Sequence, residues 1–248
     1  MTGPTIFGFS VSPMTAAQVV AHILTTPRNA DVGLVVTPNI QHVALLRGDK
    51  AFREAYAAAE IVTCDGFPVH HYARLRHCPS PGRVTGCDIV ATLMADPCTL
   101  AGQRLFFVVD QDDTARAITT WAAAGALDAA TYVPPFGFEK DVDACRTLAA
   151  TIAAHGTTLL FMGIGAPKSE IFVHRHRAHL PPCWALCVGQ AVKMALGLTP
   201  PPPSAAKRLN LEWFWRILLE PRRMSRRYLH STLGFLLAVA EDLRRASR

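Results

Sequence analysis

The chain has 248 residues, half of them hydrophobic and 18% charged, which excludes a disordered chain and allows one α/β core plus a small appendage. No apolar run reaches the roughly 18–20 residues of a spanning helix, and the opening MTGPTIFGFSVSP lacks the basic region and long apolar core of a signal peptide. A cytosolic protein able to touch the membrane from inside is therefore expected. The net charge of +6 is unevenly spread: residues 205–248 hold ten Lys/Arg against four acids, which is the whole surplus, so the tail calls for an anionic partner.

In chain order, short apolar runs rich in β-branched residues predict strands over Thr5–Phe9, Gly33–Thr37, Glu60–Cys64, Arg104–Asp110, Ala129–Val133, Thr157–Met162 and Trp184–Val188. Helical patterns lie between them at Thr15–Leu24, Lys50–Ala59, Asp88–Met94, Asp113–Ala123, Val142–His155 and Pro167–Arg177. This alternation predicts an α/β fold, a mostly parallel sheet with helices on both faces. The core is expected to span residues 1–198. A stiff proline-rich linker follows at 199–204, then a basic helical appendage at 205–248, with helices over Leu209–Leu219 and from Pro221 onward. Seven cysteines (64, 78, 87, 98, 145, 183 and 187) are odd in number and contain no C-x-x-C pair, so they read as reduced packing residues.

Ligands of such sheets sit beyond the carboxyl ends of the strands, so residues just after strands are the candidates. Thr37-Pro38-Asn39 follows GLVVT and offers hydrogen-bonding groups, although both Thr and Asn also serve as helix caps. Asp65 follows EIVTC and precedes Gly66. A carboxylate there suits a general base, and the alternative is an Asp-Gly turn. Gly163-Ile164-Gly165-Ala166-Pro167-Lys168-Ser169-Glu170 joins a strand to a helix. Its glycines admit close backbone approach, Pro167 suits the first helical turn, and free N–H groups there suit a diphosphate, with Lys168 adding charge. The dinucleotide fingerprint G-x-G-x-x-G is incomplete, because Lys168 occupies its third glycine position.

Arg83, between glycines at 82 and 86, suits a phosphate or sugar carboxylate, or is a plain surface arginine. Asp110-Gln111-Asp112 has the D-x-D form of a divalent metal site, but Asp112 or Asp113 capping the next helix explains it better. His174, His176 and His179 are badly spaced for a metal and read as surface histidines. In the tail, Trp213 to Arg227 interleaves aromatic residues with arginines. This suits an anionic membrane interface better than nucleic acid, and one face can still pack on the core.

Together these segments resemble the bacterial TagA/WecG/CpsF glycosyltransferase family, the N-acetylmannosaminyltransferase family of cell-surface polymer synthesis. The likeness rests on TPN at 37–39, AAAEIVTCDGFPV at 57–69, RVTGCDI at 83–89, GIGAPKSE at 163–170 and LEWFWRILLEPRRMSRRYL at 211–229. It implies a Rossmann-like core and an inverting, metal-independent transferase without a cofactor. The implied donor is a UDP-sugar and the implied acceptor an undecaprenyl-diphosphate-linked sugar. The implied location is peripheral on the inner membrane face, and a homo-oligomer stays open. It also implies that Asp65 is the base with Thr37 and Asn39 beside it, and that Arg83 binds substrate. Arg216, Arg223 and Arg226 belong to the appendage's arginine set.

Three positions depart from the family pattern: Ser169 replaces a Gln, Lys193-Met194 replaces a D-F pair, and Pro201-Pro202-Pro203 replaces R-A-P. The competing readings are a nucleotide-dependent oxidoreductase and a catalytically degenerate membrane-associated assembly protein.

Overall fold

The structure is a computed structural model. It describes residues 5–79, 82–200 and 221–246, with side chains from 229 to 245 in the last stretch. The core is a six-stranded, wholly parallel sheet of β3 (Gly33–Val36), β4 (Ile61–Val62), β5 (Arg104–Val108), β6 (Asp128–Tyr132), β7 (Leu159–Met162) and β8 (Trp184–Cys187), in the order β4-β3-β8-β7-β5-β6. The expected α/β, Rossmann-like class is what forms. One expected strand differs: Thr5–Phe9 is a hairpin of β1 (Thr5–Ile6) and β2 (Phe9–Ser10), reversed where Phe7 (φ 53°) and Gly8 (φ 89°) both turn left-handed.

Alternation along the strands builds two cores. Val36, Phe106, Val108, Leu160 and Met162 face one side, while Val35, Phe107, Phe161, Trp184 and Leu186 face the other. The first side is covered by α2 (Ile40–Gly48), α3 (Lys50–Ala57), α4 (Phe67–Leu75), α7 (Val142–Ala154) and α8 (Lys168–His176). The second is covered by α1 (Ala16–Thr25), α5 (Gly86–Met94), α6 (Asp112–Ala124) and α9 (Ala191–Ala195). Coverage of both faces is what a parallel sheet requires. None of the seven cysteines is in a disulfide, and five of them are buried.

A long helix, α10 (Pro221–Ala246), lies against α2. Its inner face is mixed: Ser231, Phe235 and Ala238 are buried, and Asp242 accepts from the Phe7 N–H at 2.9 Å and the Tyr72 hydroxyl at 2.7 Å while pairing with Arg76. Glu241 pairs with Arg47 at 2.7 Å. Gly234 sits directly over Ala44, and a Cβ there would lie 2.6 Å from the Ala44 Cβ. Gly234→Val is therefore expected to lower stability by about 1–3 kcal/mol through overpacking. Denaturant unfolding checks this, and an unchanged midpoint would refute the close helix approach. The expected helix at 209–219 lies outside the described residues. Among the described residues no helix is long and apolar enough to cross a membrane.

Candidate active site

Five strand ends converge on one open cleft of about 280 Å³ at the carboxyl edge of the sheet. Thr37, Asn39 and Gln41 enter it from the end of β3, and Asp65 from β4. Asp110 comes from β5, the turn at 164–166 with Ser169 and Glu170 from β7, and Val188-Gly189-Gln190 from β8.

Each candidate has a local reason for its place. The Asp65 N–H donates to the Pro38 carbonyl at 3.1 Å, which ties the end of β4 to the 37–39 segment. Gly66 packs closely there, where a Cβ would touch the Asn39 Cα at 3.4 Å. Gly66 then caps α4, so the Asp-Gly pair leads into a helix rather than an isolated turn. The Asn39 side chain accepts from the backbone of Gln41 and His42, so it caps α2 while lining the cleft. Thr37 is buried behind Asp65, with the N-terminus of α5 packed on it: a Cβ on Gly86 would meet the Thr37 Oγ1 at 3.3 Å.

The turn after β7 divides its residues. Gly165 (φ +82°) lines the cleft in a conformation that favours glycine. Gly163 is a packing residue, because a Cβ there would lie 3.0 Å from the Val108 carbonyl oxygen. Pro167 caps α8 instead of occupying its first turn. Lys168 leaves the cleft for Glu139, 3.6 Å away, and lies over the Phe136 ring. Glu170 is 1% exposed, lines the cleft, and has an Oε2 with no hydrogen-bond partner. Burial lifts its carboxyl to about 7, against a small opposing effect from its own backbone N–H.

Beneath it, the His42 Nδ1 and Tyr56 hydroxyl are 2.7 Å apart. Burial, reinforced by Glu170, pushes Tyr56 and Cys187 well above their usual ranges. Burial also raises Cys64, next to Asp65, to about 12, so that thiol is no nucleophile at neutral pH.

Arg83 is half-buried and precedes Val84, whose N–H bonds the Cys64 carbonyl at 2.9 Å. It therefore runs beside the strand that delivers Asp65, but it does not line the cleft itself. His70 is held below its usual range chiefly by burial, then by Arg74, His71 and Arg83. Arg216 and the prolines at 201–203 lie outside the described residues. Arg223 and Arg226 fall in the first turns of α10, their side chains outside the described ones.

The D-x-D segment is corrected in detail. Gln111, not an aspartate, is the N-cap of α6; Asp112 and Asp113 occupy its first turn, where they complement the helix dipole. Asp110 lines the cleft and pairs with Lys193 at 2.7 Å. His174 and His176 are half-buried rather than on the surface, and the His176 ring lies 4.9 Å from Phe172. Sequence reasoning missed Gln41, His42 and Gln190. The rule that flagged Thr37 would have found Gln190, which stands just past a strand.

This is a Rossmann-like sheet with a polar, carboxylate-bearing cleft at its ligand edge. The chain belongs to the glycosyl transferase WecG/TagA/CpsF family, whose sequence pattern matches residues 4–248. It is 26% identical over 216 residues to an N-acetylglucosaminyldiphosphoundecaprenol N-acetyl-beta-D-mannosaminyltransferase of Bacillus spizizenii, covering 84% of this chain and 79% of that one. A Bacillus subtilis protein of the same description is 26% identical over 192 residues, 77% of this chain and 72% of that one.

Proposed function

We propose that the chain transfers a hexose, an N-acetylhexosamine or an N-acetylhexosaminuronate from a UDP-sugar to a polyprenyl-diphosphate-linked saccharide, with inversion at the anomeric carbon. One observation carries this reading: Asp65, Thr37, Asn39 and the 164–166 turn with Ser169 and Glu170 meet in a single cleft, in a chain of a glycosyl transferase family. The two relatives' descriptions supply the acceptor class.

In this reading Asp65 takes the proton of the acceptor hydroxyl. The freed oxygen attacks the anomeric carbon on the face opposite UDP, the carbon–oxygen bond to the diphosphate breaks, and UDP leaves. The N-terminus of α8 beyond Gly165 supports the diphosphate. The tail arginines Arg216, Arg223 and Arg226 and the loop residue Arg83 supply cationic charge, whereas Lys168 would first have to leave Glu139. Glu170, a lining carboxyl, holds a substrate hydroxyl in this reading. The anomeric configuration of the product tests the mechanism: a β-linked product from an α-linked donor is expected, and retention would contradict a single displacement by a hydroxyl that Asp65 activates.

The 205–248 segment serves as a basic appendage behind the 199–204 linker, bringing the protein to the inner membrane surface. Leu229, Leu233 and Leu236 are 59–72% exposed and share the face of α10 opposite Phe235 and Ala238, with Arg226, Arg227, Arg244 and Arg245 nearby in sequence. Flotation with vesicles containing phosphatidylglycerol is expected to recover the protein. The double variant Leu233→Glu, Leu236→Glu should lose about tenfold or more in partitioning, since two buried leucines are exchanged for charges repelled by the anionic surface. Equal flotation of the variant would contradict this.

A further inference from the structure

The cleft has an unusual charge inventory. Among its described lining residues are three carboxylates, Asp65, Asp110 and Glu170, and no lysine or arginine. Its one imidazole, His42, has Nδ1 engaged with the Tyr56 hydroxyl. A lysine at the rim, Lys193, pairs with one of these carboxylates, so its charge is already committed. Its ammonium is 2.7 Å from the Asp110 Oδ1, donates to the Gln111 Oε1 at 2.8 Å, and the side chain is only 12% exposed. The second oxygen of Asp110 accepts from the Gln190 amide at 3.2 Å. The rim is thus a closed set of polar groups offering hydrogen bonds to hydroxyls and no spare positive charge.

We infer that the Asp110–Lys193 pair is a charge filter on the donor sugar: the cleft takes an uncharged hexose or N-acetylhexosamine and turns away the matching hexuronate. This rests on the cleft being the nucleotide-sugar site. A uronate carboxylate entering here meets Asp65 and the Glu170 carboxyl, with no lysine or arginine among the described lining residues, and the arginines assigned above serve the diphosphate. Burying a like charge beside Asp65 is penalised far more than a hydroxyl, which can both donate and accept. Asp110 is the specificity-determining residue because it alone decides whether Lys193 faces a protein carboxylate or a ligand carboxylate.

Calorimetric titration of the full chain with UDP, two neutral donors (UDP-glucose and UDP-N-acetylmannosamine) and their two uronates tests this at low salt. The neutral member of each pair should bind about tenfold or more tighter. Asp110→Asn frees Lys193 and should narrow that ratio several-fold, and adding Lys193→Gln should restore it. Equal or tighter binding of the uronates by the unmodified chain would overturn the filter while leaving the transferase reading intact, as would a ratio unmoved by Asp110→Asn. Failure of UDP and all four sugars to bind would overturn both.

Discussion

Asp65→Asn is expected to lower turnover by about 10²–10⁴-fold while leaving the fold and donor affinity in place. The amide keeps the shape of the carboxylate but cannot accept the acceptor's proton. The backbone bond from the Asp65 N–H to the Pro38 carbonyl, which fixes the end of β4 beside Asn39, is unaffected by the substitution. Thr37 and Asn39 lack this capacity: Asn39 is occupied in capping α2, and neither side chain is a base at neutral pH. Steady-state rates with a lipid-linked acceptor, alongside a thermal melt, separate loss of chemistry from loss of structure. Near-normal turnover in a folded variant would remove Asp65 from the mechanism.

Glu170→Gln should change the pH dependence of stability more than any other single substitution at the site. The carboxyl is 1% exposed and burial holds it near 7, above the 4.5 of an open carboxyl. The folded state therefore keeps a proton that the unfolded chain releases above pH 4.5. Stability contributed by the neutral form is fully present below pH 4.5 and is lost as pH rises through about 7, after which the loss is constant. The total is on the order of 3 kcal/mol. Glutamine stays neutral throughout, so the variant should melt higher above pH 7 and show a flatter profile between pH 4.5 and 8. Turnover should fall as well, since a carboxyl lining the cleft is lost. A melting profile parallel to that of the unmodified chain would show that Glu170 is not held protonated.

The central strands were legible because they are buried on both sides and read as unbroken apolar runs such as GLVV, LFFV and LLFM. The helices that escaped notice were the short ones beside the site. In α2 the buried set is His42, Val43 and Leu46, and α4 begins with Pro68 in its first turn and carries two histidines, so neither shows a clean apolar stripe. The seating of α10 reverses simple expectation. The helix turns Leu229, Leu233 and Leu236 outward and docks through Ser231, Gly234, Phe235, Ala238 and Asp242, because close approach to Ala44 needs a small residue at 234, Phe235 packs on Phe7, and Asp242 finds partners in Phe7, Tyr72 and Arg76.

The motif residues Asp65, Thr37, Asn39 and Gly165 were found because strand ends mark the ligand edge. The turning of Lys168 to Glu139, the pairing of Asp110 with Lys193 and the burial of Glu170 depend on chain segments far apart in sequence. A glutamate in a first helical turn ordinarily reads as a surface complement to the helix dipole.

The central claim is tested most directly by UDP release from the purified chain, with EDTA present, offered UDP-sugars together with a short-chain prenyl-diphosphate-linked sugar. Release that requires both donor and acceptor and persists in EDTA is the expected result. No release from any donor–acceptor pair, with Mn²⁺ restored as well, would contradict the assignment of this cleft to glycosyl transfer.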